Sequence, residues 1–280
     1  MTTQKLINDQ GFEPGFRVNA TYRYSPRFSF EGQFLWVSPW SEEQKREGSE
    51  ALRREERKKG EPLTEGDSLY FGFKDPSYDG DYIYATVAKA RYLSEFWTAE
   101  ANAWDHWTPR QVDYFSLSGL AGVRYFHFNE GLNITYFKPG VHSDYNIHTK
   151  SSAFGVQVGL DFQVNPTRSL TWELLSKFGF MMDLVEQRQF LRDQDNTLTI
   201  RHLKRSKWQN GCFSDTMAWI GLQCKEHVNL HAGYQLIYLS SVGTAEDQIS
   251  KRLSPQAGKN VQPNGVVLIH GLFVGLNISF

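Results

Sequence analysis

Residues 266–280, VVLIHGLFVGLNISF, close the chain and alternate between apolar residues and small or polar ones. One set consists of Leu268, Leu272, Val274, Leu276, Ile278 and Phe280, and the other of Gly271, Gly275, Asn277 and Ser279. Successive side chains of a β-strand point to opposite faces of a sheet, so this alternation predicts a strand with one apolar face. The strand ends on the aromatic Phe280.

The same alternation recurs along the chain and predicts further strands. Its clearest instance is residues 154–164, FGVQVGLDFQV, in which every second residue is apolar. The other segments are residues 15–24, 29–37, 82–104, 113–129, 176–184, 211–224 and 228–238. In residues 82–104 and 113–129 the phase slips partway, which predicts a β-bulge in each. The chain is therefore predicted to be all-β, with nine strands.

The connections between these strands alternate in length. Short connections rich in turn-forming residues are residues 25–27, 108–111, 165–168 and 225–227. Long polar connections are residues 38–81, 130–145, 189–210 and 241–264. Short periplasmic turns and long extracellular loops are typical of an antiparallel transmembrane β-barrel. A Greek-key sandwich would not sort its connections in this way.

The first long connection contains the densest run of charges in the chain. Residues 41–65 read SEEQKREGSEALRREERKKGEPLTE. This composition favours a helix, and Ser41 followed by two Glu residues is a suitable helix start. Residues 38–81 are therefore predicted to be a long, charged, partly helical extracellular loop, either solvated or acting as a lid over the barrel mouth.

The composition agrees with a membrane barrel. Aromatic residues make up 15% of the chain, which is usual for a barrel with aromatic girdles at both membrane interfaces. The formal net charge of −1 gives no overall field that would attract nucleic acid. Apolar runs are all shorter than the ~20 residues of a membrane helix. Residues 1–10 do not have the pattern of a signal peptide.

Counting strands gives a further expectation. If the last strand ends in the periplasm, the strand at residues 15–24 runs in the same direction, so the chain holds an odd number of strands. Bacterial single-chain barrels have even numbers. We therefore expect residues 1–280 to be one N-terminally shortened barrel domain. The signal peptide and a tenth strand would lie upstream.

Several segments together resemble a known family. They are residues 14–24 (PGFRVNATYRY), 90–104 (ARYLSEFWTAEANAW), 119–130 (GLAGVRYFHFNE), 152–160 (SAFGVQVGL), 233–248 (GYQLIYLSSVGTAEDQ) and 270–280 (HGLFVGLNISF). Their order and spacing are similar to those of the bacterial outer-membrane β-barrel porins of family seven. The resemblance covers most of residues 14–280 and implies a barrel in the outer membrane. Members of that family carry a signal peptide and an earlier aromatic strand, which this sequence lacks.

The resemblance also implies partners. They would be outer-membrane lipid and the barrel-assembly machinery, which reads a closing aromatic strand in such barrels. Phe280 is the expected assembly signal. The oligomeric state stays open.

The alternation assigns side chains to two faces. The expected lipid face contains Phe16, Val18, Phe34, Trp36, Val156, Val158, Leu160, Phe178, Phe180, Leu230, Tyr234, Val274, Leu276 and Ile278. Girdle candidates are Tyr22, Tyr24, Trp97, Trp104, Phe162, Trp172, Tyr238 and Phe280. The expected lumen-facing charges are Arg17, Arg23, Glu31, Lys89, Arg91, Arg124, Asp161, Glu173, Lys177 and Asp183. Their mixed signs allow either a neutral network that plugs the lumen or a narrow aqueous pore with charged walls.

Three functions remain open at this point. The first is a porin or narrow channel for small solutes, and the second is a closed structural or surface-adhesion barrel without conductance. The third is a soluble lipid-binding barrel, which would require Leu160, Leu230 and Leu276 to face inward. No HExxH, Cys/His or GxSxG motif is present, so no catalytic residue, metal ligand or cofactor is expected.

Overall fold

The computed structural model describes residues 13–47, 87–107, 114–138, 141–192, 198–225, 227–250 and 258–279. They form one antiparallel sheet of nine strands in chain order. The strands are β1 (Gly15–Arg23), β2 (Phe28–Glu47), β3 (Val87–His106), β4 (Phe115–Lys138), β5 (Val141–Thr167), β6 (Leu170–Arg192), β7 (Thr199–Lys225), β8 (Val228–Val242) and β9 (Gly265–Ile278). The nine predicted strands are confirmed. The sheet is not closed, because β1 and β9 form its two edges.

The two faces of the sheet differ in burial. On β5, odd-numbered side chains from Ser143 to Gln157 are buried, whereas Phe154, Val156 and Val158 are exposed. We call the buried side the inner face and the other the outer face. The sheet curls, since the guanidinium of Arg17 on β1 lies 5.0 Å from the ring centre of Phe273 on β9.

The strands are connected by short intervals at one end, which we call the turn side. These intervals are residues 24–27, 107–114, 168–169 and 226–227, of which residues 108–113 and 226 lie outside the described residues. They agree with the short connections predicted from the sequence. The opposite end is the loop side, where the expected long connection between β8 and β9 is described at residues 243–250 and 258–264. Among the described residues there is no helix, and hence none that is long and apolar enough to cross a membrane.

Two of the expected long loops are mostly strand. β4 continues to Lys138 and β5 begins at Val141, so residues 130–138 and 141–145 are paired strand. β6 continues to Arg192 and β7 begins at Thr199, so residues 189–192 and 199–210 are paired strand as well. In the loop-side halves of these strands many inner residues are apolar and most outer residues are polar or charged. Because many of the residues are charged, these segments resemble polar loops in sequence.

The helix predicted to begin at Ser41 is wrong at its first residues, which form strand. Residues 38–47 continue β2, and Ser41 pairs with Leu93 of β3. Residues 48–81 of the predicted loop lie outside the described residues. The predicted bulges in β3 and β4 are also wrong, because β3 pairs with β4, and β4 with β5, without a register shift. Where β3 pairs with β2, the extra residue lies in β2, between Val37 and Trp40, around Pro39, whose missing N–H cannot take part in the ladder.

Candidate functional site: the filled interior of the sheet

Arg124 of β4 lies at the centre of the inner face, and its side chain is fully buried. Its Nη1 is 2.7 Å from Oδ2 of Asp215 on β7 and 3.5 Å from Oε2 of Glu100 on β3. Its Nε donates a hydrogen bond of 2.9 Å to Oγ1 of Thr98. The guanidinium also lies over the ring of Phe126, with 4.7 Å between Cζ and the ring centre. A cation is therefore held by two carboxylates from strands on opposite sides of the interior.

Glu100 connects Arg124 to the next strands. Lys177 of β6 donates a hydrogen bond to Oε1 of Glu100, and Gln157 of β5 donates one of 2.8 Å to Oε2. Gln157 also donates to Oδ1 of Asn102 at 2.6 Å. Asn102 in turn donates to Oε1 of Glu31 on β2 at 3.0 Å. These bonds join five consecutive strands, β2 to β6, through side chains alone.

Asp215 connects Arg124 to the edge of the sheet. Gln235 of β8 donates a hydrogen bond of 2.7 Å to Oδ1 of Asp215. The guanidinium of Arg17 on β1 donates to Oε1 of Gln235, and its cation–π contact reaches Phe273 on β9. Contacts at this level therefore involve all nine strands.

We call this set the interior network. Its members are Arg17, Glu31, Thr98, Glu100, Asn102, Arg124, Gln157, Lys177, Asp215 and Gln235. The three cationic and three anionic side chains balance formally. Removing charges from water is costly unless they are paired and hydrogen-bonded, and Arg124, Lys177, Glu100 and Asp215 are paired in this way. The interior network links the strands through side-chain hydrogen bonds and ion pairs, and its side chains occupy the interior.

Apolar clusters lie on both sides of the interior network. The middle cluster contains Leu35, Phe96, Phe126, Phe128, Ala153, Met181, Phe213, Ile237, Leu239 and Val242. The turn-side cluster contains Trp104, Leu120, Leu175 and Met217. Trp104 was expected in an outer girdle, but it is 8% exposed and lies inside, because the even-numbered residues of β3 face inward. Apolar side chains therefore pack on both sides of the interior network.

The β8–β9 connection folds into the loop side of the interior. The amide of Ala245 donates a hydrogen bond of 2.7 Å to Oε2 of Glu130 on β4, and Tyr92 donates to Oε1. Gln189 of β6 donates to the carbonyl of Gln248 at 2.7 Å. Burial raises the pKa of Glu130 to about 7, with the carboxylates of Asp247 and Glu246 adding to the effect. The two hydrogen bonds act in the opposite direction.

The loop-side core surrounds this connection. It contains Ala88, Ala90, Tyr92, Leu132, Ile134, Tyr136, Tyr145, Ile147, Leu191, Ile200 and Ala245. Arg201 is buried there and donates to Oη of Tyr145 at 3.2 Å and to Oε1 of Gln189 at 3.0 Å. The described part of the connection therefore packs against the inner face of the sheet at this end.

The expected lumen-facing charges fall into three groups. Arg17, Glu31, Arg124 and Lys177 belong to the interior network. Arg23, Asp161, Glu173 and Asp183 lie on the inner face but outside that network. Lys89 and Arg91 lie on the outer face, so the expectation for these two was wrong.

The error has a physical cause. On the loop-side half of β3 the inward residues are Ala88, Ala90 and Tyr92, so the charged residues between them point outward. Lys89 lies 3.9 Å from the carboxylate of Glu43 on the neighbouring strand.

Sequence reasoning missed Glu100, Asn102, Gln157, Asp215 and Gln235 as network members. Glu100 and Asn102 alternate with alanines, and Asp215 lies in a segment whose two faces are poorly separated in sequence. A search for polar residues that alternate with small outward-facing residues would have identified Glu100 and Asn102. Phe280, the expected assembly signal, lies outside the described residues.

The outer face carries an apolar band along the turn-side half of the strands. On β5 the apolar band runs from Phe154 to Val164. On the loop side of Phe154 the outward residues are polar, namely Ser152 and Lys150. On β6 it runs from Trp172 to Leu184. The fourteen residues expected on the lipid face all point outward within this band. Val274 and Leu272 on β9 are 75% and 79% exposed, the highest values among the large apolar side chains.

Among the described residues, no group of three His, Cys, Asp or Glu side chains could hold a metal ion. No protein-family model, curated protein or solved structure matches this chain. The resemblance to outer-membrane porins of family seven therefore rests on the quoted sequence segments alone.

Proposed function

We propose that this chain is an integral β-barrel protein of a bacterial outer membrane, with a lumen blocked by its own side chains. The observation that carries the proposal is the apolar band. A membrane-spanning strand needs roughly 9–11 tilted residues, which is the length from Phe154 to Val164 on β5. Exposed apolar surface of this extent around a sheet is unfavourable in water and favourable in lipid.

Aromatic residues support the same placement. Tyr22, Tyr24, Phe28 and Trp172 are exposed on the outer face at the turn side. Trp36, Trp97, Tyr125, Trp208 and Tyr238 lie on the outer face at the other limit of the band. Amphipathic rings prefer the membrane interface, so two rows at the limits of an apolar band fit the two girdles of a membrane barrel.

Closure of the sheet is part of the proposal. β1 and β9 are the first and last of nine antiparallel strands, so they run in the same direction. A tenth strand running opposite to both would give each edge an antiparallel partner and leave no edge within lipid. The expected partners are accordingly outer-membrane lipid and the barrel-assembly machinery.

The filled interior favours a closed structural or adhesion barrel over a porin. The interior network crosses the lumen, and apolar clusters occupy the levels on either side of it. A water-filled path would have to break buried ion pairs and wet aromatic surfaces. The soluble lipid-binding alternative requires an apolar inner cavity, whereas Leu160, Leu230 and Leu276 are exposed on the outer face.

A porin or narrow channel remains the second candidate, because the quoted segments resemble porins and the inner face carries charges of both signs. Planar-bilayer recording on the purified full chain distinguishes the two. We expect incorporation without step-like conductance. Regular conductance steps would contradict the closed barrel and favour the channel. Failure to incorporate into any lipid would contradict both and favour a soluble protein.

A further inference from the structure

A basic patch lies on the outer face just beyond the loop-side limit of the apolar band. Arg188 of β6 and Lys204 of β7 are directly opposite each other in the ladder, and His148 of β5 is directly opposite Arg188 on its other side. Lys150 lies one outward position nearer the band. All four side chains are exposed. We call these residues the basic patch.

The pairing within the basic patch is unfavourable by itself. Like charges directly opposite on one face of a sheet repel each other. Among the described residues, no carboxylate oxygen lies within 4.0 Å of the charged nitrogens of Arg188 or Lys204. The nearest acidic position in the ladder is Glu186, which is opposite Lys150. An anion from outside the chain would remove this repulsion.

Charges on the neighbouring edge have the same sign. β7 continues on the loop side beyond the end of β8, and residues 199–214 contain four Lys or Arg residues but no Asp or Glu. Arg205 and Lys207 of this segment are exposed. An edge strand is protected from pairing by charges of either sign, so protection alone does not explain a uniform sign.

The position of the basic patch identifies the kind of anion. Lys204 precedes the outward Trp208 by four residues, which is about 13 Å along a strand and less along the membrane normal when the strand is tilted. Trp208 lies at the limit of the apolar band, opposite Leu184. In a membrane-embedded barrel this places the patch at the depth of lipid headgroups, which lie directly beyond the hydrocarbon core.

We infer that the basic patch binds phosphate groups of anionic lipid headgroups in the loop-side leaflet. This inference rests on the proposed membrane location. Lysine and arginine side chains near an anionic membrane surface each contribute about 1 kcal/mol to binding, so several on one patch give a selective site. The bound phosphates offset the repulsion between Arg188 and Lys204.

The test compares anionic and neutral lipid around the purified full chain. The protein is reconstituted in phosphatidylcholine vesicles with and without phosphatidylglycerol, and the preference for spin-labelled phosphatidylglycerol over phosphatidylcholine is measured by electron paramagnetic resonance. We expect a preference that falls about 5- to 30-fold in the double variant Arg188→Gln/Lys204→Gln. The matched control Lys45→Gln/Lys89→Gln removes another directly opposed pair on the outer face, which lies farther from the band and beside Glu43. It should keep the preference.

A second readout separates binding from folding. In neutral detergent the Arg188→Gln/Lys204→Gln variant should unfold at the same or a higher temperature, because a repulsive pair has been removed. Equal affinity of the wild-type chain for both lipids, or an equal loss in the two double variants, would overturn the inference while leaving the membrane location intact. Binding of soluble polyglutamate without a lipid preference would assign the patch to an acidic protein instead. Failure to enter neutral vesicles would contradict the proposed function itself.

Discussion

At the scale of single residues, the interior is organised around Arg124. Its guanidinium is fully buried, yet it contacts two carboxylates and the hydroxyl of Thr98. Burial of this group is tolerated because Glu100 lies directly opposite it on the neighbouring strand β3, and Asp215 reaches it from β7 across the interior. Loss of the cation would leave the buried Asp215 without a counter-ion, whereas Glu100 would keep Lys177.

The first prediction concerns this ion pair. Arg124→Met should lower the free energy of unfolding by about 3–5 kcal/mol, because it leaves the buried charge of Asp215 uncompensated. The control is Arg27→Met, which breaks an Arg–Asp contact of the same 2.7 Å length to Asp105, but with the Arg27 side chain 65% exposed. That exposed pair is screened by water, so its loss should change stability far less than the loss of Arg124. Urea unfolding in detergent micelles measures both, and equal losses would argue against a buried network.

The second prediction concerns Glu130. Its pKa is raised to about 7 by burial, whereas a glutamate in the unfolded chain titrates near 4.3. Between these two values the folded chain binds more protons than the unfolded one, so stability falls as the pH rises from about 4 to 7 and then levels off. Glu130→Gln should flatten this dependence. Unfolding measurements across that range check it, and an unchanged slope in the variant would refute the assignment.

At the scale of the elements, the strands were easier to predict than their lengths. Residues 154–164 and 266–278 alternate cleanly because one face is exposed apolar surface and the other is polar or small. In the loop-side halves of β4 to β7 the two faces are exchanged: apolar residues such as Ile134 and Tyr145 are on the inner face, and polar residues are on the outer face. Apolar and polar residues still alternate there, but the many charged residues make these segments look like loops in sequence.

The interior network was only partly predictable for a related reason. Alternation identifies which residues share a face, and it placed Arg17, Arg124 and Lys177 on the inner face. It does not say which residues on different strands come together. The pairing of Arg124 with Asp215 depends on the curl of the sheet, which brings β4 and β7 within side-chain reach.

The third prediction concerns β5 and the apolar band. Val158→Arg should cost about 2–4 kcal/mol in a bilayer, because it places a charge at the depth of the hydrocarbon core. Asn146→Arg, on the same face of the same strand but beyond the band, is the control and should cost little. The adjacent residue Gln157 points to the inner face but would be an unsuitable control, because it is buried and hydrogen-bonded to Glu100. Similar losses in both variants on unfolding from vesicles would contradict the limit of the band.

The fourth prediction concerns the β8–β9 connection. A Cβ added at Gly243 would lie 2.2 Å from Cγ1 of Val185, so Gly243→Val should displace the start of the connection from the interior. Limited proteolysis should then cut residues 243–250 faster than in the wild type. Gly271→Val is the control, because open space surrounds a Cβ there. Unchanged cleavage in the Gly243 variant would contradict the packing of this connection.

Over the whole sheet, the outer and inner faces differ in chemistry. The outer face has an apolar band of the height of a membrane and polar strands beyond it. The inner face holds a neutral interior network between apolar clusters, which leaves no lining of single charge sign that would select permeating ions. The combination fits a rigid membrane anchor that presents long strands and connections on the loop side.

The proposed location of the apolar band in lipid can be measured by fluorescence quenching. A fluorescent label is attached at Val158→Cys or Asn146→Cys, with Cys212 and Cys224 replaced by Ser, and quenching by lipids brominated in their acyl chains is recorded. If the apolar band lies in lipid, quenching after reconstitution in vesicles should be strong at position 158 and weak at position 146. Equal, weak quenching at both positions, with both labels accessible to a water-soluble quencher, would contradict this location.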